Sequence, residues 1–128
     1  MKMHVYKEVK RWKVPFHITK TQLAKSYAKL LGHTKIIGIT GSVGKTLTQN
    51  AISKVLSQKY NVAVGEENLD PTFRIPSTIL KTKPWQDFLI LEYGVEEPGD
   101  MDHYLDLVKP AIAVITKISA THTKYFKD

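Results

Sequence analysis

The stretch "KIIGITGSVGKTLTQ", Lys35–Gln49, constrains the fold more than any other part of the chain. It opens on an apolar run, Ile36, Ile37 and Ile39, without the polar alternation that a half-solvated strand would show. Two glycines, Gly41 and Gly44, then bracket a short turn, and Lys45-Thr46 begins a segment with helical spacing. Ala51, Ile52, Val55 and Leu56 share one helical face and predict a helix from about Lys45 to Lys59. A buried strand, a glycine turn and a helix in that order form the first half of a βαβ unit.

The rest of the chain repeats this alternation. "NVAV" (Asn61–Val64), "FLILE" (Phe88–Glu92) and "AIAVIT" (Ala111–Thr116) are further short apolar runs. Between them a turn-rich stretch, "GEENLDPTFRIP", precedes a short predicted helix around Ser77–Lys81. A second helix, "DMDHYLDLV", is expected to take Asp100 as its cap. Ahead of the first strand, Thr19 or Thr21 is expected to cap a helix running to Leu31. Leu23, Tyr27, Leu30 and Leu31 form its stripe, and Gly32 is its stop. Pro15 disfavours helix in Val14, so "VPFHI" is expected to be extended. Wholly apolar strands alternating with helices define the fold class as α/β, a P-loop NTPase-like parallel sheet with helices on both faces.

Charge divides the 128 residues unevenly. Residues 1–35 carry nine Lys/Arg and one acid, Glu8, whereas the remainder is close to neutral. Two regions are therefore expected: a basic N-terminal segment with one amphipathic helix, residues 1–34, and a nucleotide-binding domain, residues 35–128. A basic segment suits an anionic partner. Here, though, lysines are interspersed with apolar residues, which reads more simply as a solvated surface and argues against nucleic acid. There is no cysteine, so disulfides and thiolate metal sites are excluded. No apolar run has the length of a membrane span, and the cytoplasm is the expected compartment.

The glycine turn indicates a chemistry. In "TGSVGKT", Thr40, Gly41, Ser42, Val43, Gly44, Lys45 and Thr46, the glycines permit close backbone approach. The helix that follows directs its N–H groups and positive dipole end at whatever sits in the turn, as a phosphate requires. Lys45 can reach outer phosphates, and the Thr46 hydroxyl can take a Mg²⁺ ion. The usual pattern, G-x-x-x-x-G-K-[ST], has Ile39 in place of its first glycine. No Asn-Lys-x-Asp element for guanine is present, which favours ATP. Glu92 ends its strand at the sheet edge where ligands bind, and is expected to bind metal rather than stand as a solvated strand-end acid. His122 follows the last strand on the same edge; by itself a lone histidine is as often surface or core.

"ITGSVGKTLT", "ENLDPTFRIPSTIL" and "FLILEYGVEEPGDMDHYLDLVKPAIAVITKISATH" together resemble the central ATPase domain of the Mur ligases, nearest the dipeptide-adding branch. The resemblance covers about residues 35–128. It implies an ATP-dependent amide ligase of cell-wall precursor synthesis. Such a ligase phosphorylates a carboxylate and lets an amine displace the phosphate. It also implies Lys45, Glu92 and His122 as catalytic residues, with Thr46, Glu92 and His122 holding metal. Asn68 is implied in substrate binding, and Pro76 as the closing proline of the substrate loop. The cofactors implied are ATP and Mg²⁺. The partners implied are a nucleotide-sugar peptide or other carboxylate substrate and an amino acid or dipeptide amine. Related ligases act on folates or polyglutamate.

Two positions depart from the family: Lys117 stands where asparagine is usual, and Arg74 where glycine is usual. The family enzyme has three domains, and its central one carries a metal-binding lysine beyond the point matched by Asp128, so this domain is expected to be incomplete, with the missing parts supplied by the rest of a gene or another chain. Two alternatives remain: a stand-alone Mg-ATP-binding module, or a basic adaptor without ligase activity.

Overall fold

A computed structural model of the chain describes residues 6–7, 9–66 and 71–120, with Pro71 and Thr72 described through their backbone alone. Four strands form the sheet: β1 (Lys35–Thr40), β2 (Val62–Val64), β3 (Phe88–Glu92) and β4 (Ile112–Ile115). Their order is β2-β3-β1-β4, and every neighbouring pair is parallel. Among the described residues four α-helices accompany them: α1 (Val14–Leu30), α2 (Lys45–Leu56), α3 (Pro71–Lys81) and α4 (Asp100–Leu107). The expected α/β architecture with helices on both faces is what the chain adopts.

Strand alternation sorts the sheet residues between two faces. Ile36, Leu89, Leu91 and Tyr93 lie in one core cluster with Ala24 and Leu31 from the α1 region, Ile75 and Ile79 of α3, and Tyr104 and Leu107 of α4. Ile37, Ile39 and Ile90 form the other cluster, with Ile52 and Leu56 of α2 packed against it. One face therefore carries three helices and the other carries one. On β1 one position leaves no room for a side chain. A Cβ on Gly38 would lie 2.7 Å from a ring carbon of Tyr93, whose ring stacks on Tyr104 and whose hydroxyl donates to the Val108 carbonyl at 3.1 Å. Burial raises the pKa of that phenol.

Several local expectations are corrected. The first helix begins at Val14, not at Thr19 or Thr21, so "VPFHI" is helical. Pro15 lies within the first turn, where its missing N–H costs nothing. The Thr19 and Thr21 hydroxyls instead donate back to the Pro15 and His17 carbonyls, at 2.9 and 2.8 Å. The buried stripe of α1 runs through Ala24, Tyr27 and Ala28 to Leu31, while Leu23 and Leu30 are exposed. On α2 the inward side holds Gln49, Ile52 and Leu56, whereas Ala51 and Val55 face outward. The helix ends at Leu56 rather than Lys59. The chain then tightens into turns, with Gln58 N donating to Val55 O and Lys59 N to Leu56 O.

Of the turn-rich stretch before Ser77, Pro71–Pro76 lie within α3, which starts at Pro71, while Gly65 and Glu66 precede it and residues 67–70 lie outside the described residues. Pro76, expected to close a loop, sits buried inside that helix and forgoes one ladder bond. Asp100 does not cap α4. Gly99 is the N-cap, and the Asp100 carboxylate accepts the N–H groups of Glu96 and Glu97 in the preceding loop, at 3.0 and 2.8 Å.

Candidate functional site

The order of the strands creates the site. From β1 the chain leaves onto the α2 face, crosses β3 and returns through β2. From β3 it leaves onto the opposite face through α4. Adjacent strands β1 and β3 thus send their connections in opposite directions, and a crevice opens at their carboxyl ends, where open α/β sheets bind ligands. At this end of the sheet β1 leads into Thr40–Thr46 and β3 ends in Glu92.

The loop is tightly specified. Gly41 has φ +135°, and a Cβ there would fall 2.0 Å from Thr116 Oγ1, so no other residue fits without moving the segment after β4. Gly44 is left-handed at φ +87° and is the N-cap of α2. It offers no side-chain cap, so the first-turn N–H groups of α2 keep their donors for a ligand in the loop. Lys45 Nζ donates to the Gly41 carbonyl at 2.7 Å, folding its charge across the loop. Thr46 is exposed on the first turn of the helix.

A second layer of hydrogen bonds fixes the loop from the side. Thr116 N and Oγ1 both donate to the Thr40 carbonyl, at 2.9 and 3.2 Å. Thr40 Oγ1 donates to the Tyr93 carbonyl at 2.9 Å. Ser42 N donates to the Lys117 carbonyl at 3.0 Å, and the Ser42 hydroxyl both donates to Ser119 O at 2.8 Å and accepts Ser119 N at 3.1 Å. Val43 bridges Lys117. The segment Thr116–Ser119 is therefore a strap along the loop. Sequence reasoning missed it, although its hydroxyl-rich composition directly after a strand was a signal. Lys117 works here through its backbone carbonyl.

Glu92 is paired in register with Ile39 and lies two residues beyond Ile90, which places it on the α2 face beneath the loop. It is buried, 5% exposed, which overturns the alternative of a solvated strand-end acid. Its Oε1 has no hydrogen-bond partner, and its Oε2 lies 3.5 Å from Arg74 Nη1. A buried carboxylate oxygen without a donor is suited to a cation. Carboxylate and hydroxyl oxygens, the chemistry of Glu92 and Thr46, are of the type that Mg²⁺ prefers. Among the described residues no cluster of three or more His, Cys, Asp or Glu side chains stands ready for a metal. Asn68 and His122 lie outside the described residues. The amide of Gln49 on the inward side of α2 is also buried with both polar atoms unpartnered. No periodic signal marks the contact between Arg74 and Glu92, because it joins a helix on one face to a strand end read on the other.

The Mur ligase middle domain matches residues 39–128. The UDP-N-acetylmuramoyl-tripeptide–D-alanyl-D-alanine ligase of Borreliella burgdorferi is 37% identical over 94 residues, 73% of this chain and 20% of that protein. The ligase of the same name from Bacillus subtilis is 39% identical over 101 residues, 79% of this chain and 22% of that protein. Among solved structures, a UDP-N-acetylmuramoylalanyl-D-glutamyl-2,6-diaminopimelate–D-alanyl-D-alanyl ligase from Acinetobacter baumannii superposes with TM-score 0.78 at 25% identity. It covers 84% of this chain and 24% of that one. A MurF ligase from Thermotoga maritima in complex with ADP superposes with TM-score 0.75 at 27% identity, over 84% of this chain and 25% of that one. The chain thus spans about a fifth of the length of the curated relatives it matches. With this loop, crevice and sheet order, and a match over most of its residues, the chain belongs to the Mur ligase middle-domain family.

Proposed function

We propose that this chain holds Mg-ATP for an amide ligase of cell-wall precursor synthesis. The ligase phosphorylates a substrate carboxylate, and an amine then displaces the phosphate. The observation that carries this reading is the α2 N-terminus. It is capped by a left-handed glycine without a side chain, has Lys45 folded over its loop, and opens into the crevice between β1 and β3.

The chain's own groups divide the work. The α2 N–H groups and Gly41–Gly44 backbone bind and orient the phosphates. Lys45 exchanges the Gly41 carbonyl for the outer phosphates, a stronger, charge-assisted partner. Thr46 and Glu92 would hold Mg²⁺, which supplies charge neutralisation as the carboxylate approaches the triphosphate. No protein nucleophile is called for. His122 as a further metal ligand and Asn68 as a substrate contact rest on the family resemblance alone. The carboxylate is a nucleotide-sugar peptide and the amine a D-alanyl-D-alanine dipeptide, by likeness to the named relatives. These 128 residues alone are expected to bind nucleotide without forming the amide, since the likeness spans a fifth of those ligases. The division into residues 1–34 and 35–128 and a cytoplasmic setting are part of the same proposal; no described helix is long and apolar enough to cross a membrane.

Calorimetry with Mg-ATP tests the reading. Wild type binds, and Lys45→Ala weakens binding by roughly 10- to 100-fold, the worth of one charge-assisted hydrogen bond. Absence of binding by wild type overturns it.

A further inference from the structure

Arg74 is far from the phosphate loop in sequence, yet its side chain ends beside Glu92 at the carboxyl end of β3. It leaves α3, on the face opposite α2, and its stem passes over the backbone just beyond β2. A Cβ on Gly65 would lie 3.0 Å from Arg74 Cδ and 3.3 Å from Cγ, so the stem lies where any side chain at Gly65 would press on it. The same helix turn is tied by Thr78 Oγ1, which donates to the Arg74 carbonyl at 2.8 Å. The guanidinium arrives 3.5 Å from Glu92 Oε2, with the two side chains 10% and 5% exposed. One oxygen of the carboxylate thus faces a cation built into the chain, while the other has no hydrogen-bond partner.

A divalent ion taken up by Glu92 would meet that guanidinium at close range in a poorly screened setting. Two cations there repel unless one withdraws. The phosphates of a bound nucleotide offer the guanidinium another anion, of the geometry that arginine prefers.

We propose that Arg74 is an internal counter-cation for Glu92: it occupies the carboxylate while the nucleotide site is empty and yields it to a divalent ion once phosphates arrive. This rests on the reading of Glu92 as a metal residue. It orders the loading of the site, nucleotide before the ion at Glu92, and it keeps the buried carboxylate paired in between.

Mn²⁺ binding to the nucleotide-free chain, followed by the electron paramagnetic resonance signal of free Mn²⁺, tests the proposal together with thermal melts. Arg74→Met is expected to bind Mn²⁺ on the order of 10-fold more tightly than wild type or better, since a like charge is removed from beside the ligand. It is expected to melt lower without Mn²⁺ and to recover with it, whereas wild type gains little. Adding Glu92→Gln to Arg74→Met abolishes both gains. If Arg74→Met does not melt cooperatively, Arg74→Gln, which keeps length and hydrogen bonding, is measured with the same expectation. Equal Mn²⁺ affinity in wild type and variant, with Glu92→Gln still weakening Mn²⁺ binding to the ATP complex, overturns the counter-cation and leaves the metal role of Glu92 standing. If Glu92→Gln leaves Mn²⁺ binding to the ATP complex unchanged, the metal role falls and the proposal with it.

Discussion

The two faces of the sheet are built differently. On one, α1, α3 and α4 cover Ile36, Leu89, Leu91 and Tyr93, and Ile75, Ile79 and Ala24 are fully buried among them. On the other, α2 alone covers Ile37, Ile39 and Ile90, and Gln49 is the only one of its residues fully buried; Leu47 remains 76% exposed and Val55 72%. Edge strand β4 is similarly bare, with Ile115 64% exposed. Yet the phosphate loop belongs to the thin face. The three-helix face is held by apolar burial, and the loop is held by directional bonds from Thr116, Lys117 and Ser119. Stability and candidate chemistry are therefore carried by different forces on opposite sides of one sheet.

The sharpest way to break this comparison is to cut matched isoleucines. Ile79→Ala on the three-helix face is expected to destabilise by about 3 kcal/mol, because a fully buried side chain leaves a cavity among Ile75, Leu89 and Leu91. Ile52→Ala on the α2 face, where the residue is half-buried, is expected to cost roughly half as much or less. Urea denaturation of both variants measures the difference. Equal losses would show that the faces share one level of packing.

Next in size is Gly41→Ala. Its φ of +135° strains any L-residue, and the new methyl would collide with Thr116 Oγ1. A cost of about 2 kcal/mol or more is expected from backbone strain of this kind. Because the strap touches the loop and not the three-helix core, nucleotide affinity should fall in Gly41→Ala, whereas Ile79→Ala should bind normally wherever it is folded. Calorimetry at a temperature where both variants are folded separates the two effects.

What could be read before the structure follows the same division. The strands were legible from apolar runs, since burial on both faces leaves no polar alternation, and "FLILE" matches β3 residue for residue. The loop was legible because glycine spacing and Lys-Thr are local features. The inward side of α1 was not: Leu23 and Leu30 continue the apolar spacing but face solvent, and small Ala24 and Ala28 let that helix pack instead. Pro76 hid α3, because proline reads as a breaker unless tertiary packing repays the lost ladder bond. The contact of Arg74 with Glu92 and the Thr116–Ser119 strap join segments far apart in sequence. They depend on strand order β2-β3-β1-β4, which no single stretch encodes.

The smallest expected effect lies at the exposed rim of the thin face. Val55→Ser replaces an apolar side chain that is 72% in solvent, so little apolar area leaves or enters water on folding. Valine and serine also have similar helix propensities, and the exchange should shift stability by no more than about 0.5 kcal/mol. The same result is expected for Leu47→Gln, two residues after Lys45 on the first turn of α2, where the side chain is 76% exposed. A loss near that of Ile79→Ala, read from the same urea curves, would mean that this rim is covered in solution. The contrast between the faces would then belong to the isolated chain and not to its working state.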